Sequence, residues 1–364
     1  MRQDPVSHYG YINAKLRAKI GLMREQQIVS TLLRSESLVD AVAVLRSSAY
    51  HQVAESYDKT GDLQHMELVL LTLEIGMYRD VAKHLEGKSA ALVKHLLGKI
   101  EVDNLKNALR LWYSSIIRNQ SIRHRSEYLF KERILHQVDW VALINATSYE
   151  AVCKALKDTV YEQTVASFTL SRLQQEGLFA LESELDKNWY LQLMECTRNV
   201  GKTDREIATN VFLFEIDLKN ILTLVRYFWY HKMESTDVKK LLIPLGKVYD
   251  SKIVASYLKQ KETERDPQSL IDAFLADIED SSELNTKGSV PADQTEVLQT
   301  LKIEASLDRQ RKKMYQKMLT SDPFSIALPL AYFFLFKEET RMIRAVLNGK
   351  YYGYDEQYIK GVLG

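Results

Sequence analysis

The sequence predicts an all-α protein, and three observations carry that expectation. Turn residues are scarce: 14 glycines and 6 prolines among 364 residues are about 4% and 2%, against the usual ~7% and ~5%. Apolar residues recur at helical spacing, most clearly Leu218, Ile221, Leu222, Val225, Phe228 and Trp229, which make a broad stripe on one side of a helix. The third observation is a repeated helical word. Glu215-Ile-Asp217-Leu-Lys-Asn220-Ile-Leu222 returns as Glu101-Val-Asp103-Asn-Leu-Lys-Asn107-Ala-Leu109, with one extra residue at Asn104. A fainter version, Tyr9-Gly-Tyr11-Ile-Asn13-Ala-Lys-Leu-Arg17, opens the chain. A spacing of roughly a hundred residues signals duplicated domains rather than a solenoid of short repeats.

The expected elements follow in order. A helix runs from Tyr9 through Met23, and Glu25 to Arg46 reads as two shorter helices, with Ser35 or Ser37 capping the second. Ser37…Leu45…Tyr50 matches Ser148…Leu156…Tyr161 at identical spacing, as a repeat would. Leu63 to Leu97 gives two amphipathic helices broken near Gly87. The second unit starts at Glu101, where Leu105, Ala108, Leu109, Trp112 and Ile116 rebuild the apolar stripe, and a helix spans Leu178 to Val200. The third unit starts near Asp204, so the units are 1–100, 101–203 and 204–364. Residues 279–296, rich in Ser, Asp, Asn, Gly and Pro, read as an exposed mobile loop. Helix resumes from Leu298, broken at Asp322-Pro323 and again at Asn348-Gly349 before a closing helix over Asp355–Leu363.

Charge is balanced, 49 basic against 48 acidic residues, which removes any global argument for nucleic acid or an anionic membrane surface. Cys153 and Cys196 form no metal motif and suggest a reducing compartment. The polar start, Met1-Arg-Gln-Asp-Pro, is no signal region. The longest uncharged run, Phe324 to Phe336, contains Pro329 and is short of the ~20 residues that span a bilayer, so it reads as buried helix. A soluble, cytoplasmic protein is expected.

Catalytic chemistry is not evident. Val200-Gly-Lys-Thr203 has the end of a phosphate-binding loop, but Cys196 stands where that loop needs a glycine, and no strand precedes it. The histidines show no His-x-x-x-His pair, and neither cysteine sits in a nucleophile motif. Asn119-Gln-Ser121 and Asn145-Ala-Thr147 match glycosylation acceptors that a cytoplasmic chain would not use. Two basic stretches stand out, Arg118, Arg123, His124, Arg125, Lys131 and Arg133, and Arg309-Gln-Arg-Lys-Lys313. Either could hold an acidic partner, RNA or lipid head groups, but each has acidic neighbours and reads rather as a solvated helix face. The repeated set, Asn13 with Arg17, Asp103 with Asn107, and Asp217 with Asn220 and Arg226, recurs at the same helical place. A catalytic group is needed once per site, so repetition favours structure: these groups should satisfy helix ends and neighbouring backbone.

Five segments in order resemble the family of the central-stalk C subunits of archaeal and bacterial V/A-type ATPases, related to the d subunit of the eukaryotic vacuolar enzyme. They are Tyr11-Ile-Asn13-Ala-Lys-Leu-Arg17, Leu185-Asp-Lys-Asn-Trp-Tyr190, Glu215-Ile-Asp217-Leu-Lys-Asn220-Ile with Arg226, Asp322-Pro-Phe-Ser325, and Lys337-Glu-Glu-Thr-Arg-Met-Ile-Arg344 with Asn348-Gly-Lys350. Lys15 stands where the family often has arginine, and Met342 or Ile343 replaces an expected asparagine. The resemblance implies three pseudo-repeated helical domains forming a funnel around a central cavity. It also implies a non-catalytic adaptor, without cofactor, between the central shaft with its small companion and the proteolipid rotor ring. Such a protein lies peripherally on the cytoplasmic face of the membrane, and neither nucleic acid nor a homo-oligomer is expected. Arg118, Arg123, Arg125, Lys131 and Arg133 are the candidate shaft contacts. A helical-repeat scaffold for unrelated protein or RNA partners is the alternative.

Overall fold

The computed structural model describes residues 4–276 and 295–363. Among the described residues every regular element is helical, in keeping with the expected all-α class. Asp4 accepts from Val6 N and opens α1 (Pro5–Gln26), and Pro5 sits in its first turn, where a missing N–H costs nothing. Then come α2 (Ile28–Arg34), α3 (Leu38–Arg46), α4 (His51–Thr60), α5 (Leu63–Lys83) and α6 (Gly87–Ile116). Short helices follow: α7 (Arg123–Glu127), α8 (Trp140–Ile144), α9 (Tyr149–Ala155), α10 (Glu162–Ala166) and α11 (Leu170–Glu176). Next are α12 (Phe179–Arg198) and α13 (Lys202–Thr223), which passes directly into a π-helix, Leu224–Tyr230. The remainder is α14 (Ser235–Leu241), α15 (Gly246–Tyr249), α16 (Lys252–Tyr257), a 3₁₀ turn at Glu262–Glu264, α17 (Pro267–Ala276), α18 (Thr295–Leu319), α19 (Ala327–Tyr351) and α20 (Glu356–Leu363).

The chain forms two compact units that do not follow sequence order: residues up to Arg205 together with Met318–Leu363, and Glu206–Lys317. In the first unit, Ile28, Leu32, Leu45, Val53 and Leu70 share a core with Ile343, Val346, Leu347 and Ile359 from the other end of the chain. In the second unit, Leu218, Ile221, Val225 and Phe228 pack with Val238, Leu242, Tyr257 and Ile303. The expected unit starts at Glu101 and Asp204 lie inside α6 and α13. Of the segment read as a mobile loop, 279–294 lies outside the described residues, and Thr295 and Glu296 begin α18.

Several local readings change. Ile116, placed on the second stripe, is 43% exposed, whereas Leu105, Ala108, Leu109 and Trp112 are sealed. The third stripe does not continue as α-helix. Past Thr223 the hydrogen-bonded turns widen, with His231 N donating to Arg226 O at 3.0 Å. The wider turn still keeps Leu224, Val225, Phe228 and Trp229 buried together. Asn348-Gly349 does not break the helix, because α19 runs through it to Tyr351. Glycine is there for closeness: a Cβ on Gly349 would lie 2.6 Å from Ile359 Cδ1 of α20. The uncharged run is buried as expected from Ile326 to Phe333, with Pro329 tolerated in the first turn of α19. Gly349→Val should therefore push α20 off α19, lowering stability by about 1–3 kcal/mol in urea unfolding. Amides of α20 should exchange faster than those of α3 or α4.

Candidate functional site

The repeated word proves to be a set of clamps in which a buried asparagine on a long helix grips the backbone of a remote loop. Asn220 of α13, 1% exposed, donates Nδ2 to Ile243 O at 3.0 Å and accepts from Ile243 N at 2.8 Å. Asn104 of α6 does the same with one residue, donating to Phe130 O at 2.8 Å and accepting from Phe130 N at 3.2 Å. The carboxamide thus pairs with one residue's N–H and C=O as a neighbouring strand would, and no buried partner is left over. Asn13 of α1 donates to Pro323 O at 2.7 Å and Ser325 O at 3.1 Å, but its Oδ1 has no partner. The reason is covalent. The residue in the gripped position is proline, which has no N–H to give.

Three residues before the second and third asparagines stands a carboxylate that caps the same loop further on. Asp217 accepts from Val248 N at 2.8 Å and Lys247 N at 3.2 Å, at the start of α15. Gly246 (φ +84°) must be glycine, since a Cβ would overlap Asp217 Oδ1. Glu101, with no exposure at all, accepts from Leu135 N and His136 N, both at 2.8 Å, from His136 Nδ1 at 2.6 Å and from Tyr161 OH at 2.8 Å. In α1 that position is Gly10, and Asp204 of α13 supplies the carboxylate instead. It accepts from Ile326 N at 2.9 Å and from Tyr9 OH at 2.6 Å. The matched tyrosines also have matching roles: Tyr161 reaches Glu101, and Tyr50 reaches Glu339 of α19. Ser37 and Ser148 cap α3 and α9 respectively.

Burial pushes the Glu101 and Asp217 carboxyls up, and their partners decide the outcome. For Glu101 the bonds from His136, the loop backbone and Tyr161 outweigh burial and hold the group below the ordinary range. Asp217 has only two backbone N–H groups and the Lys247 charge, so burial prevails and its carboxyl titrates high.

Of the residues singled out from sequence, Asn13, Asp217 and Asn220 take part in the clamps. Asp103 and Asn107 do not; Glu101 and Asn104 hold the equivalent places. Asp103 instead pairs with Lys99 at 2.6 Å and Lys106 at 2.8 Å, and exposed Asn107 accepts from Arg110 at 3.3 Å. The signal lay in the sequence: Glu101-Val-Asp-Asn104 aligns with Asp217-Leu-Lys-Asn220 with no insertion. Arg17 is exposed, and Arg226 pairs with Glu304 at 3.3 Å. Arg118, Arg125, Lys131 and Arg133 are all exposed, with Arg118 over the Tyr113 ring and Arg133 Nε donating to Leu135 O; the Arg123 side chain is outside those described. Glu215, from the same word, accepts from Arg311 at 3.0 Å and Tyr315 at 2.6 Å and so ties α18 to α13. Asp186 of α12 takes Lys99 at 3.1 Å and Lys106 at 3.0 Å, joining α12 to α6.

Among the described residues no cluster of three or more His, Cys, Asp or Glu side chains could hold a metal ion, and no helix is long and apolar enough to cross a membrane. Burial and the neighbouring Glu150 and Glu195 push the Cys153 and Cys196 thiols up, the reverse of a reactive thiolate. Repeated, buried polar contacts between helix and loop hold the fold together. The ATP synthase (C/AC39) subunit family matches residues 12–362, and the chain belongs to that family. It is similar to the A-type ATP synthase C subunit of Thermococcus onnurineus, 24% identical over 98% of this chain and 90% of the relative. The same-named subunits of Methanococcoides burtonii (22%, covering 98% and 94%) and Pyrococcus abyssi (24%, covering 98% and 90%) are similar too. The chain is a subunit of a V/A-type ATPase, a structural part of the complex and not itself an enzyme.

The clamps can be tested by substitution. Asn220→Leu strands both the N–H and the C=O of Ile243 and should cost about 1–3 kcal/mol in chemical unfolding. Asn13→Leu strands carbonyls alone and should cost less. Their carboxylates should also differ in pH dependence. A carboxyl depressed by folding contributes stability above its unfolded pKa that is lost as pH falls, and a raised one does the opposite. The deficit of Glu101→Gln should therefore shrink from pH 7 toward pH 3, while that of Asp217→Asn should grow. Parallel slopes in a pH series of melts would contradict this.

Proposed function

We propose that the chain is the rotor adaptor of a V/A-type ATPase. In this reading it links the central shaft and its small companion to the proteolipid ring and passes torque between them. The observation that carries the reading is the family match from end to end, with no large part of the chain left over for another activity. Three pseudo-repeated units, 1–100, 101–203 and 204–364, would form a funnel whose socket receives the shaft foot, on the cytoplasmic face of the membrane. Recurrence of the clamp asparagine in α1, α6 and α13 supports the threefold division. A torque-bearing part needs loops that do not yield, and clamps that tie loop backbone to long helices provide that stiffness.

Two surfaces are suited to partners. The exposed Arg118, Arg125, Lys131 and Arg133 would steer and hold an acidic shaft foot through salt-sensitive contacts. Tyr351, Tyr352, Tyr354 and Tyr358 are each about half exposed or more and neighbour one another in sequence, edge-on and then tilted, with ring centroids 5.2, 6.3 and 4.5 Å apart. Contiguous exposed aromatics of this kind favour burial against another protein.

Tagged in its own host and solubilised in mild detergent, the chain should co-purify with ATPase head subunits and a proteolipid ring. Recovery from the soluble fraction alone would overturn the adaptor role. Within the recovered complex, charge reversal at Arg118, Arg125 and Lys131 should weaken shaft binding about tenfold at low ionic strength, and the difference should fade in high salt.

A further inference from the structure

A cavity of about 370 Å³ opens within the first unit between α6 and α12, closed behind by the loop carrying His136 and by the turn and helix around Tyr161 and Thr164. It plays no part in the clamps beyond sharing a wall with Glu101, and it does not depend on the adaptor reading.

Its walls are preformed. His95 of α6 and Trp189 of α12 are held by reciprocal bonds: His95 Nε2 lies 3.0 Å from Trp189 O, and Trp189 Nε1 donates to His95 O at 3.1 Å. Their rings stack at 5.4 Å and 10°. A carbonyl only accepts, so His95 Nε2 carries the proton, and burial favours the neutral ring. On the opposite wall the ionised Glu101 accepts from His136 Nδ1 at 2.6 Å, which makes Nδ1 the donor and leaves Nε2 uncommitted. Between them the floor is apolar, formed by Val102, Leu135 and Leu185, with Gly98 leaving the space that a side chain would fill. At the mouth stands Lys94, exposed and without an ion pair among the described residues. No aspartate or glutamate lines the cavity.

An apolar floor under an exposed, unpaired lysine, with no carboxylate among the lining residues, suits a ligand with an apolar body and a single negative head. We propose that this cavity binds a small amphiphilic carboxylate, its chain or ring over Gly98 and Leu185 and its carboxylate on the Lys94 ammonium.

Cys196 lines the same cavity and reports occupancy, and Cys153→Ser leaves it the only thiol. In full-length Cys153→Ser protein, the rate of Cys196 alkylation by iodoacetamide is measured during titration with octanoate and, separately, with 1-octanol. Octanoate should slow alkylation saturably, at a concentration about tenfold below that needed for octanol, the margin expected of one charge-assisted contact. Gly98→Val, which fills the floor, should abolish the protection. Should that variant fold poorly by circular dichroism, Lys94→Glu at the exposed rim gives the same test, losing octanoate protection while keeping that by octanol. Absence of saturable protection, equal protection by acid and alcohol, or octanoate protection that survives Lys94→Glu would each overturn the proposal.

Discussion

The carboxamide of a buried asparagine, facing the N–H and C=O of one remote loop residue, is the contact on which the rest of this structure depends. A helix satisfies its own backbone, but a loop laid against it brings polar groups that water can no longer reach. Asn104 and Asn220 resolve this by offering donor and acceptor from one rigid plane, so the loop is fixed in position and in orientation. A misplaced loop would leave both sides unpaired, which makes the arrangement selective as well as stabilising. Asn13 shows the limit of the device. It keeps two donor contacts, yet proline at the gripped position leaves Oδ1 without a partner.

Around this contact the carboxylates adapt to what each helix provides. Glu101 gathers four donors and stays ionised despite complete burial, whereas Asp217, with two backbone donors, is held toward its neutral form. Where α1 has glycine at the acid's place, Asp204 arrives from α13, and Tyr9 reaches across to it. The geometry at the loop is kept while the source of the charge changes. Under the proposed adaptor role, such exchanges would preserve stiffness without preserving residues.

Much of the clamp was legible. Asp217 and Asn220 stood out because polar residues three apart beside an apolar stripe must border a packed interface, and they do. The second clamp was legible only in part, since a one-residue insertion brought Asp103 and Asn107 into register in place of Glu101 and Asn104. On a helix each residue is about 100° of rotation, so Asp103 stands about 200° round from Glu101. Asp103 therefore lies on a rim of ion pairs with Lys99 and Lys106, whereas Glu101 is completely buried. Similar words therefore conceal different faces. Gly349 misled for a related reason: a glycine that ends a helix and one that admits a crossing helix are the same letter, and only Ile359 distinguishes them.

By itself the sequence determined the helical class, the apolar stripes and the recurrence of a buried polar pair, because period, composition and spacing are local properties of the chain. Tertiary structure alone decided which loop each pair grips and which helices share a core. Asn13 meets Pro323 across 310 positions, and Ile343 and Ile359 join a core begun at Ile28. Contacts of that separation leave no periodic trace, since they arise only when distant surfaces are buried together and their polar groups must find one another.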